Sequence, residues 1–377
     1  MHSGQYLWRQ GEGWHPSTPP LADAHLVLVF GATDLLDAER WAELRARHPG
    51  AILFGCSSAG EIHGVEVHDD TVTATAIRFA DTPLRLASQV VAEGEDSRAV
   101  GRALAGQLPS TGLRHVLVLS DGLHVNGTDL VGGIKEALPA EVEVTGGLSG
   151  DGARFQRTCV IADAAPRERL VAALGLYGER IRVGYGSLGG WDGFGPDRLI
   201  TRSQGNVLYE LDGQSALGLY KQYLGEHAAG LPATGLLFPL ALRGKAGEDV
   251  GLVRTILSVD EAAQSMTFAG DIPQGAYARL MRANFNRLVD GAVGAARAAR
   301  GTLSDQSPEL ALLISCVGRK LVLKQRVEEE VEGVRQVLGS DAVLTGFYSY
   351  GEISPYAPTA RCELHNQTMT ITTFSEP

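Results

Sequence analysis

The sequence predicts an α/β fold made of repeated strand–helix–strand units in mixed sheets, organised as two related, pseudo-duplicated domains. Two segments, 55–62 and 346–353, share the pattern G-x-x-S-x-G-E-I, and each follows a short apolar run. The match continues downstream as E-x-H-x-x-T-x-T at 66–73 and 363–370. A weaker copy at 146–152 keeps the glycine and the serine. Matches that stay in register over such a length indicate internal repeats, and these decide the fold class.

An apolar run opens each copy, at residues 25–30, 115–120 and 310–315. A helical segment and a second apolar run then precede the glycine stretch. Continuous apolar runs are typical of strands buried on both faces of a sheet, and such crossovers are right-handed. We therefore predict that each unit is a strand, a crossover helix, a strand and a glycine-rich turn. We expect copies one and three to be related by a pseudo-two-fold axis and to flank a shared cleft.

Local patterns predict the remaining elements in order. Helices are expected after an N-cap at Asp37 as far as Pro49, over 93–108, after a cap at Thr128 or Asp129, and over 215–224, 284–300 and 324–338 with Gly339 as the C-cap. Strands are expected at 71–79, 170–177, 199–211 with a turn at 205–206, 235–243, 251–270 as a hairpin, and 368–374. Because the segment 235–243 contains Pro239, we expect it at a sheet edge.

The domain organisation follows from these elements. Residues 1–23 are expected to form an N-terminal arm, 24–213 the N-terminal domain and 214–377 the C-terminal domain. The stretch 184–196 is rich in glycine and has three aromatic residues. Since glycine allows a tight backbone approach, we expect a loop there whose aromatic side chains line a cavity.

Composition excludes several classes of function. The net charge of −11 argues against binding to nucleic acid or to an anionic lipid surface. The four cysteines are far apart and have no C-x-x-C spacing, which disfavours a zinc site or a disulfide framework. The sequence has no signal-peptide pattern and no apolar run of membrane-spanning length. We expect a cytoplasmic protein.

The glycine turns are the first candidate for a ligand site, because open α/β sheets bind ligands at the carboxyl ends of their strands. The turns supply hydroxyl groups from Ser58, Ser149 and Ser349. Glu61 and Glu352 supply carboxylates that could pair with a ligand amine or with an internal cation such as Arg319. The alternative is that the turns only reverse the chain. Further candidates in or near these turns and loops are Cys56, Ser57, His124, Asn126, Gly147, Asp151, Trp191, Cys316, Tyr348 and Tyr350.

Cys316 and the histidines each have a functional and a structural interpretation. Cys316 is close in sequence to Arg319 and Lys320, so its thiol could have a lowered pKa, or it could be a small buried thiol. His124 follows a strand at its carboxyl end and could reach a ligand. His68 and His365 occupy equivalent positions in the repeat, which favours a structural role for both.

Motifs for catalysis are absent from the sequence. No serine lies in G-x-S-x-G, and neither a P-loop nor an intact G-x-G-x-x-G with its acidic partner follows a strand. No H-E-x-x-H or comparable metal-ligand spacing occurs. An enzyme that uses Cys316 or a turn serine on a small acyl or carboxylate substrate is one alternative, and a scaffold without a ligand is another. We expect a protein that is not an enzyme.

Five motifs together resemble the FIST family of bacterial sensory proteins, over about residues 24–374. They lie at 121–127, 146–151, 206–213, 315–320 and 346–353. The resemblance implies an N-terminal and a C-terminal FIST domain and the sensing of a small ligand in signal transduction. It implies amino acids or small carboxylates as one ligand class.

One branch of the FIST family binds haem, senses nitric oxide, and regulates a partner histidine kinase or cyclic-di-GMP enzyme. If this chain is similar to that branch, His124, Cys56 and Cys316 are the candidate ligands of the haem iron. The absence of C-x-x-C-H excludes only covalent haem attachment. The sequence has no kinase or cyclase segment, so we expect it to signal through a separate protein.

Overall fold

The computed structural model describes residues 1–244, 249–303, 306–355 and 361–377. Among these residues, three six-stranded sheets and one eight-stranded sheet form a mixed α/β structure. The helices are α1 Ala38–Arg47, α2 Ser97–Ala105, α3 Gly127–Ala137, α4 Ala216–Leu224, α5 Phe285–Thr302, α6 Val317–Leu323 and α7 Val327–Leu338. Short 3-10 turns occupy Gly225–Gly230, Ala233–Leu237 and Lys324–Arg326.

The strands follow one another along the chain. The first thirteen are β1 His2–Arg9, β2 Gly13–His15, β3 Leu26–Gly31, β4 Ile52–Ser57, β5 Glu61–His63, β6 Glu66–His68, β7 Thr71–Arg78, β8 Leu84–Val90, β9 Leu113–Ser120, β10 Glu143–Leu148, β11 Val160–Ala162, β12 Leu170–Tyr177 and β13 Arg182–Leu188. The others are β14 Asp192–Gln204, β15 Val207–Leu211, β16 Gln214–Ser215, β17 Leu240–Arg243, β18 Asp249–Arg254, β19 Ile256–Asp260, β20 Ser265–Phe268, β21 Tyr277–Arg282, β22 Leu310–Cys316, β23 Val343–Ser349, β24 Gly351–Pro355, β25 Cys362–His365 and β26 Met369–Ser375.

Each six-stranded sheet is built on one parallel strand pair with a helical crossover. The pairs are β3–β4, β9–β10 and β22–β23, and an antiparallel strand, β7, β12 or β26, completes each unit. We number the units one, two and three in chain order. The predicted fold class of repeated strand–helix–strand units in mixed sheets is confirmed.

The units exchange strands in a closed cycle. After its glycine turn, unit one adds β5 to β23 of unit three, unit three adds β24 to β10 of unit two, and unit two adds β11 to β4 of unit one. The registers agree, since Ile62, Ile353 and Ile161 each pair with the first glycine of the receiving unit's motif. The expected two-fold arrangement of copies one and three is therefore wrong. The weaker copy is an equal member of a three-fold cycle, and its isoleucine lies too far along the chain to be found by pattern matching.

The first glycine of each motif allows the close approach of two strands. A Cβ atom added to Gly55, Gly146 or Gly346 would lie 1.9, 1.9 or 1.8 Å from a carbonyl oxygen of the paired parallel strand. A side chain at these positions would push the pair apart. These three glycines are required for packing within the sheets.

A central apolar core joins the three units. All three sheets contribute to it, with Phe30 and Phe54 from unit one, Leu119 from unit two, and Ile314 and Phe347 from unit three. The rings of Phe30 and Phe347 stack with their centroids 4.7 Å apart. The helices pack on the outer faces of the sheets, over further apolar clusters.

The eight-stranded sheet, β14–β21, is inserted into unit three between β13 and α5. It has its own apolar core, which includes Ile200, Leu208 and Phe268. The predicted boundary at residue 213 falls in the turn between β15 and β16. The expected loop at 184–196 is wrong, because these residues belong largely to β13 and β14. The strand after Pro239 is not an edge either, since β17 lies between β18 and β21.

The N-terminal arm expected at 1–23 is wrong, because β1 pairs with β7 along its whole length and β2 pairs with β1. Most other local predictions agree with the structure, with shifts at the ends. Asp37 caps α1 as predicted, and its carboxylate accepts from the backbone N–H of Arg40 at 2.8 Å. The cap of α3 is Asn126 and not Thr128 or Asp129. Within 251–270 the hairpin is β19–β20, and residues 251–254 belong to β18. No helix among the described residues is long and apolar enough to cross a membrane.

We expect Gly55→Ala to destabilise the protein by about 3 kcal/mol or more, because the overlapping atom is backbone and cannot rotate away. Chemical denaturation followed by circular dichroism measures this loss. Gly50→Ala is the matched control, since a Cβ there would meet nothing within 4 Å. Equal stability of the two variants would show that strand approach does not require Gly55.

Candidate functional site at the three converging turns

The turns of all three units meet and are joined by main-chain hydrogen bonds. Ala59 N donates to Tyr348 O and Tyr348 N donates to Gly60 O, both at 2.8 Å. Gly150 N donates to Ser57 O at 3.0 Å, and Tyr350 N donates to Leu148 O at 3.1 Å. We call residues 57–61, 147–152 and 348–352 the turn hub. It brings together the predicted site residues Ser57, Ser58, Glu61, Gly147, Ser149, Asp151, Tyr348, Ser349, Tyr350 and Glu352.

A buried serine–glutamate–threonine cluster lies in the turn of unit one. The Ser58 hydroxyl donates to Oε1 of Glu61. The other carboxyl oxygen, Oε2, accepts from the Thr71 hydroxyl at 2.6 Å and from the Thr71 backbone N–H at 3.3 Å. All three side chains are buried.

Unit three repeats the cluster with equivalent residues. Ser349 Oγ donates to Glu352 Oε1 at 2.6 Å. Thr368 donates to Glu352 Oε2 from its hydroxyl at 2.9 Å and from its backbone N–H at 3.2 Å. The threonines were not among the predicted site residues. The shared E-x-H-x-x-T pattern could have identified them, because Thr71 and Thr368 match in register.

Burial raises the pKa of both turn carboxyl groups. The pKa of Glu61 is raised from 4.5 to about 7, and that of Glu352 to about 8. Desolvation is the main cause, because the charged form loses its water, and the hydroxyl donors oppose it only in part. Each carboxyl group therefore gains or loses its proton near neutral pH.

The expected pairing of Arg319 with a turn glutamate is wrong, because Arg319 forms a buried ion pair with Glu330. Its Nη2 lies 2.7 Å from Glu330 Oε2 and also donates to the Leu288 carbonyl at 2.7 Å. The Tyr348 hydroxyl donates to Glu330 at 2.7 Å and that of Ser315 does so at 3.1 Å. The side chains of Arg319 and Tyr348 thus serve a structural network beneath the hub.

The turn of unit two differs from the other two and forms the exposed edge of the hub. Asp151 accepts from the backbone N–H groups of Phe155, Gln156 and Arg157 at 2.8 to 2.9 Å, and from the hydroxyl of Tyr350. The Phe155 ring stacks on Tyr350 with centroids 4.4 Å apart and is 42% exposed. This edge therefore presents an aromatic surface. Ser149 faces inward, and its hydroxyl donates to Ser120 O at 2.9 Å.

A carboxylate–histidine pair lies beside this aromatic edge. His124 Nδ1 is 3.1 Å from Oδ1 of the buried Asp121, and the imidazole side chain is 29% exposed. Asp121 also accepts from the backbone N–H groups of Leu123, His124 and Arg169. A Cβ atom added to Gly122 would lie 3.1 Å from the Tyr350 ring, so the loop and the ring are in contact. Asp121 was not predicted as a site residue.

The cysteines are free, buried thiols. Cys56 packs into the central apolar core, and Cys316 lies at the start of α6. Burial raises the pKa of both thiols. At neutral pH they are therefore protonated, and the interpretation of Cys316 as a small buried thiol agrees with the structure.

Two predicted site residues lie away from the hub. Trp191 is buried and donates from Nε1 to Gln367 O at 2.8 Å. Asn126 caps α3 and donates from Nδ2 to Asp271 Oδ1 at 3.1 Å, which connects unit two with the inserted sheet.

Gly147, which belongs to the hub, lies within β10 and pairs with Glu352 through the backbone. The described residues contain no group of three side chains placed to hold a metal ion.

The FIST N domain matches residues 25–214 and the FIST C domain matches residues 216–355. The chain belongs to the FIST family. FIST domains are generally sensory domains for small ligands. No curated protein matches this FIST protein.

Solved structures with a distant likeness include two cyanuric acid hydrolases. The enzyme from A. caulinodans is 7% identical, with 99% of each chain covered and a TM-score of 0.37. A second cyanuric acid hydrolase is 10% identical, with 100% of this chain and 99% of that chain covered and a TM-score of 0.29. At these TM-scores neither likeness carries a functional inference.

We expect the turn glutamates to lower the stability of the protein as the pH rises from about 4.5 to about 8, with the net fall above about pH 6.5, because the buried His115 and His365, whose pKa values are lowered to about 3 and about 4, act in the opposite direction below it. The folded turn glutamates keep their protons up to about pH 7 and 8, whereas the unfolded chain releases them near 4.5. At these two side chains the folded state therefore binds more protons in this window, and raising the pH favours unfolding by roughly 3 to 5 kcal/mol per glutamate. Urea denaturation at a series of pH values measures the slope.

Glu61→Gln and Glu352→Gln should each reduce that slope, because an amide has no proton to lose in this range. Glu332→Gln is the control, since Glu332 is exposed on α7. If the Glu352→Gln variant and the unchanged protein had parallel pH profiles, the raised pKa of Glu352 would be refuted.

Proposed function

We propose that this FIST protein senses a small ligand in signal transduction and that the ligand binds at the exposed edge of the turn hub. The observation that carries the proposal is the convergence of three turns from three units. A ligand at the exposed edge would contact unit two directly. The main-chain hydrogen bonds of the hub connect unit two with units one and three. The sensory role of FIST domains supports the same conclusion.

A more specific proposal is that the ligand is haem, with His124 as the residue that would hold the iron and nitric oxide as the signal. Histidines that bind metals commonly donate their second ring nitrogen to a carboxylate, which orients the ring. Asp121 is placed to accept from Nδ1 of His124, which leaves Nε2 for the iron. The stacked Phe155 and Tyr350 rings offer an aromatic face nearby. Bound haem iron would supply a coordination position for nitric oxide.

The cysteine candidates for haem ligation do not fit this proposal. Iron is ligated by a thiolate, and the raised pKa values of Cys56 and Cys316 keep both thiols protonated at neutral pH. Cys56 would also have to leave the apolar core. Of the three candidates, His124 alone combines exposure with an orienting carboxylate.

The enzyme alternative has no support at the hub. The Ser58 and Ser349 hydroxyls are buried and donate to the glutamate of their own unit. A nucleophile needs an adjacent base together with access for the substrate. We also propose that the protein transmits its signal through a partner histidine kinase or cyclic-di-GMP enzyme. In this proposal the hub is the element that responds to the ligand.

The test is an absorption spectrum of protein produced with haem supplied, before and after reduction and addition of nitric oxide. We expect a stoichiometric Soret band that moves with nitric oxide and is lost in His124→Ala, because that variant lacks the iron ligand. Cys56→Ser and Cys316→Ser are the matched variants and should keep the band.

A colourless protein that also rejects added haemin would refute the haem proposal. Amino acids and small carboxylates would then be tested by thermal shift, since a ligand that binds only the folded state raises the unfolding temperature. If no ligand of either class stabilised the protein, the sensor proposal itself would fail.

A further inference from the structure

A cavity of about 530 Å³ lies at the end of the sheets opposite the turn hub. It is formed where β9 and β10 begin and where β13 crosses from unit two to unit three. Arg114 and His115 line it from β9, Glu141 and Glu143 from the start of β10, and Tyr185 from β13. Its volume is in the range of sites for small ligands. No predicted site residue lies in it.

The cationic side chains of this cavity are engaged by other groups. Arg114 donates from Nε to Gly178 O at 3.2 Å and lies 3.6 Å from the carboxylate of Glu179. Arg182 donates to the carbonyl groups of Ile181 and Glu179. Their donors are therefore only partly available to an anionic ligand.

The cavity also contains a hydrogen-bond acceptor that no donor in the described part of the chain satisfies. Glu143 Oε2 is buried and has no hydrogen-bond partner among the residues that the structure describes. Lys135 Nζ forms an ion pair with this oxygen at 3.6 Å, but it donates its hydrogen bond to Val142 O at 2.7 Å. A buried carboxylate oxygen without a donor is costly, and a ligand N–H group could satisfy it.

His115 adds no positive charge to the cavity, whose cationic lining residues are Arg114 and Arg182. Burial, and then the charge of Lys135, lowers the pKa of His115 to about 3, so its imidazole is neutral. His115 Nε2 is fixed by the Thr145 hydroxyl at 2.8 Å. Tyr185 adds a half-buried phenol ring, which can face a cation.

We propose that this cavity binds a small organic cation with a protonated amino or amidinium group, which donates to Glu143 and lies beside Tyr185. The net charge of −11 favours the approach of such a ligand. An anion would have to draw Arg114 and Arg182 away from their carbonyl partners. The site is separate from the turn hub and does not depend on the function proposed there.

The experiment is a calorimetric titration of the full chain with 1,4-diaminobutane and with butylguanidine at constant ionic strength. Tetramethylammonium, which has no N–H group, and butyrate are the matched probes. We expect the amine or the guanidine to bind, and neither matched probe. Glu143→Gln should weaken binding by about ten-fold or more, because a charged hydrogen bond is lost.

Tyr185→Phe provides a second variant if Glu143→Gln does not fold, and it should weaken binding less because the ring remains. Glu332→Gln, on the exposed surface of α7, should leave binding unchanged. His124→Ala should also leave it unchanged, which separates this site from the hub. No binding of either cation at millimolar concentration, equal binding of butyrate, or undiminished binding by Glu143→Gln would each overturn the proposal.

Discussion

The structure depends on the close approach of paired parallel strands at one glycine in each unit. Because Gly55, Gly146 and Gly346 have no side chain, the paired strands can approach closely, and each receiving strand also pairs with an isoleucine donated by another unit. Each unit thus completes the sheet of another in a closed cycle. A change in the turn of one unit therefore acts on two sheets at once.

The same exchange explains why the hub carries carboxyl groups that titrate near neutral pH. A turn that leaves its own sheet and enters another is surrounded by protein on all sides, so Glu61 and Glu352 lose their water. Hydrogen bonds from hydroxyl and backbone donors replace that water in part. They offset some of the free-energy cost of burying the carboxyl groups, but the pKa values of both groups stay raised. A conformational shift at the hub would alter this balance in both units.

The repeats, the parallel pairs and most helix boundaries could be predicted from the sequence, because they depend on apolar periodicity and local capping. The cyclic exchange of strands could not be predicted, because local sequence patterns do not show which of the three units receives each strand. Nor could the partner of Arg319 be predicted, because sequence separation does not show which carboxylate the fold brings to a guanidinium group, although Glu330 is only 11 residues away. At the site, matched serines and glutamates located the hub, whereas Asp121 and Phe155 have no counterpart in the repeat pattern.

Unit two departs from the pattern of the other units, and its turn is the one that lies beside the exposed Phe155 and the partly exposed His124. Asp121 corresponds to Ala32 and Cys316 in the other units, since all three donate a backbone N–H to the carbonyl of the residue at, or immediately before, the start of the antiparallel strand. That residue is a threonine in units one and three and Leu170 in unit two. The buried carboxylate of unit two belongs instead to Asp121, which directly follows β9. His124 lies three residues after Asp121, as Arg319 lies three residues after Cys316 in unit three. Arg319 is buried and fixed by Glu330, whereas His124 is oriented by Asp121 and reaches the surface. The unit that lacks the structural cluster is therefore the one whose loop carries a partly exposed histidine held by a buried carboxylate.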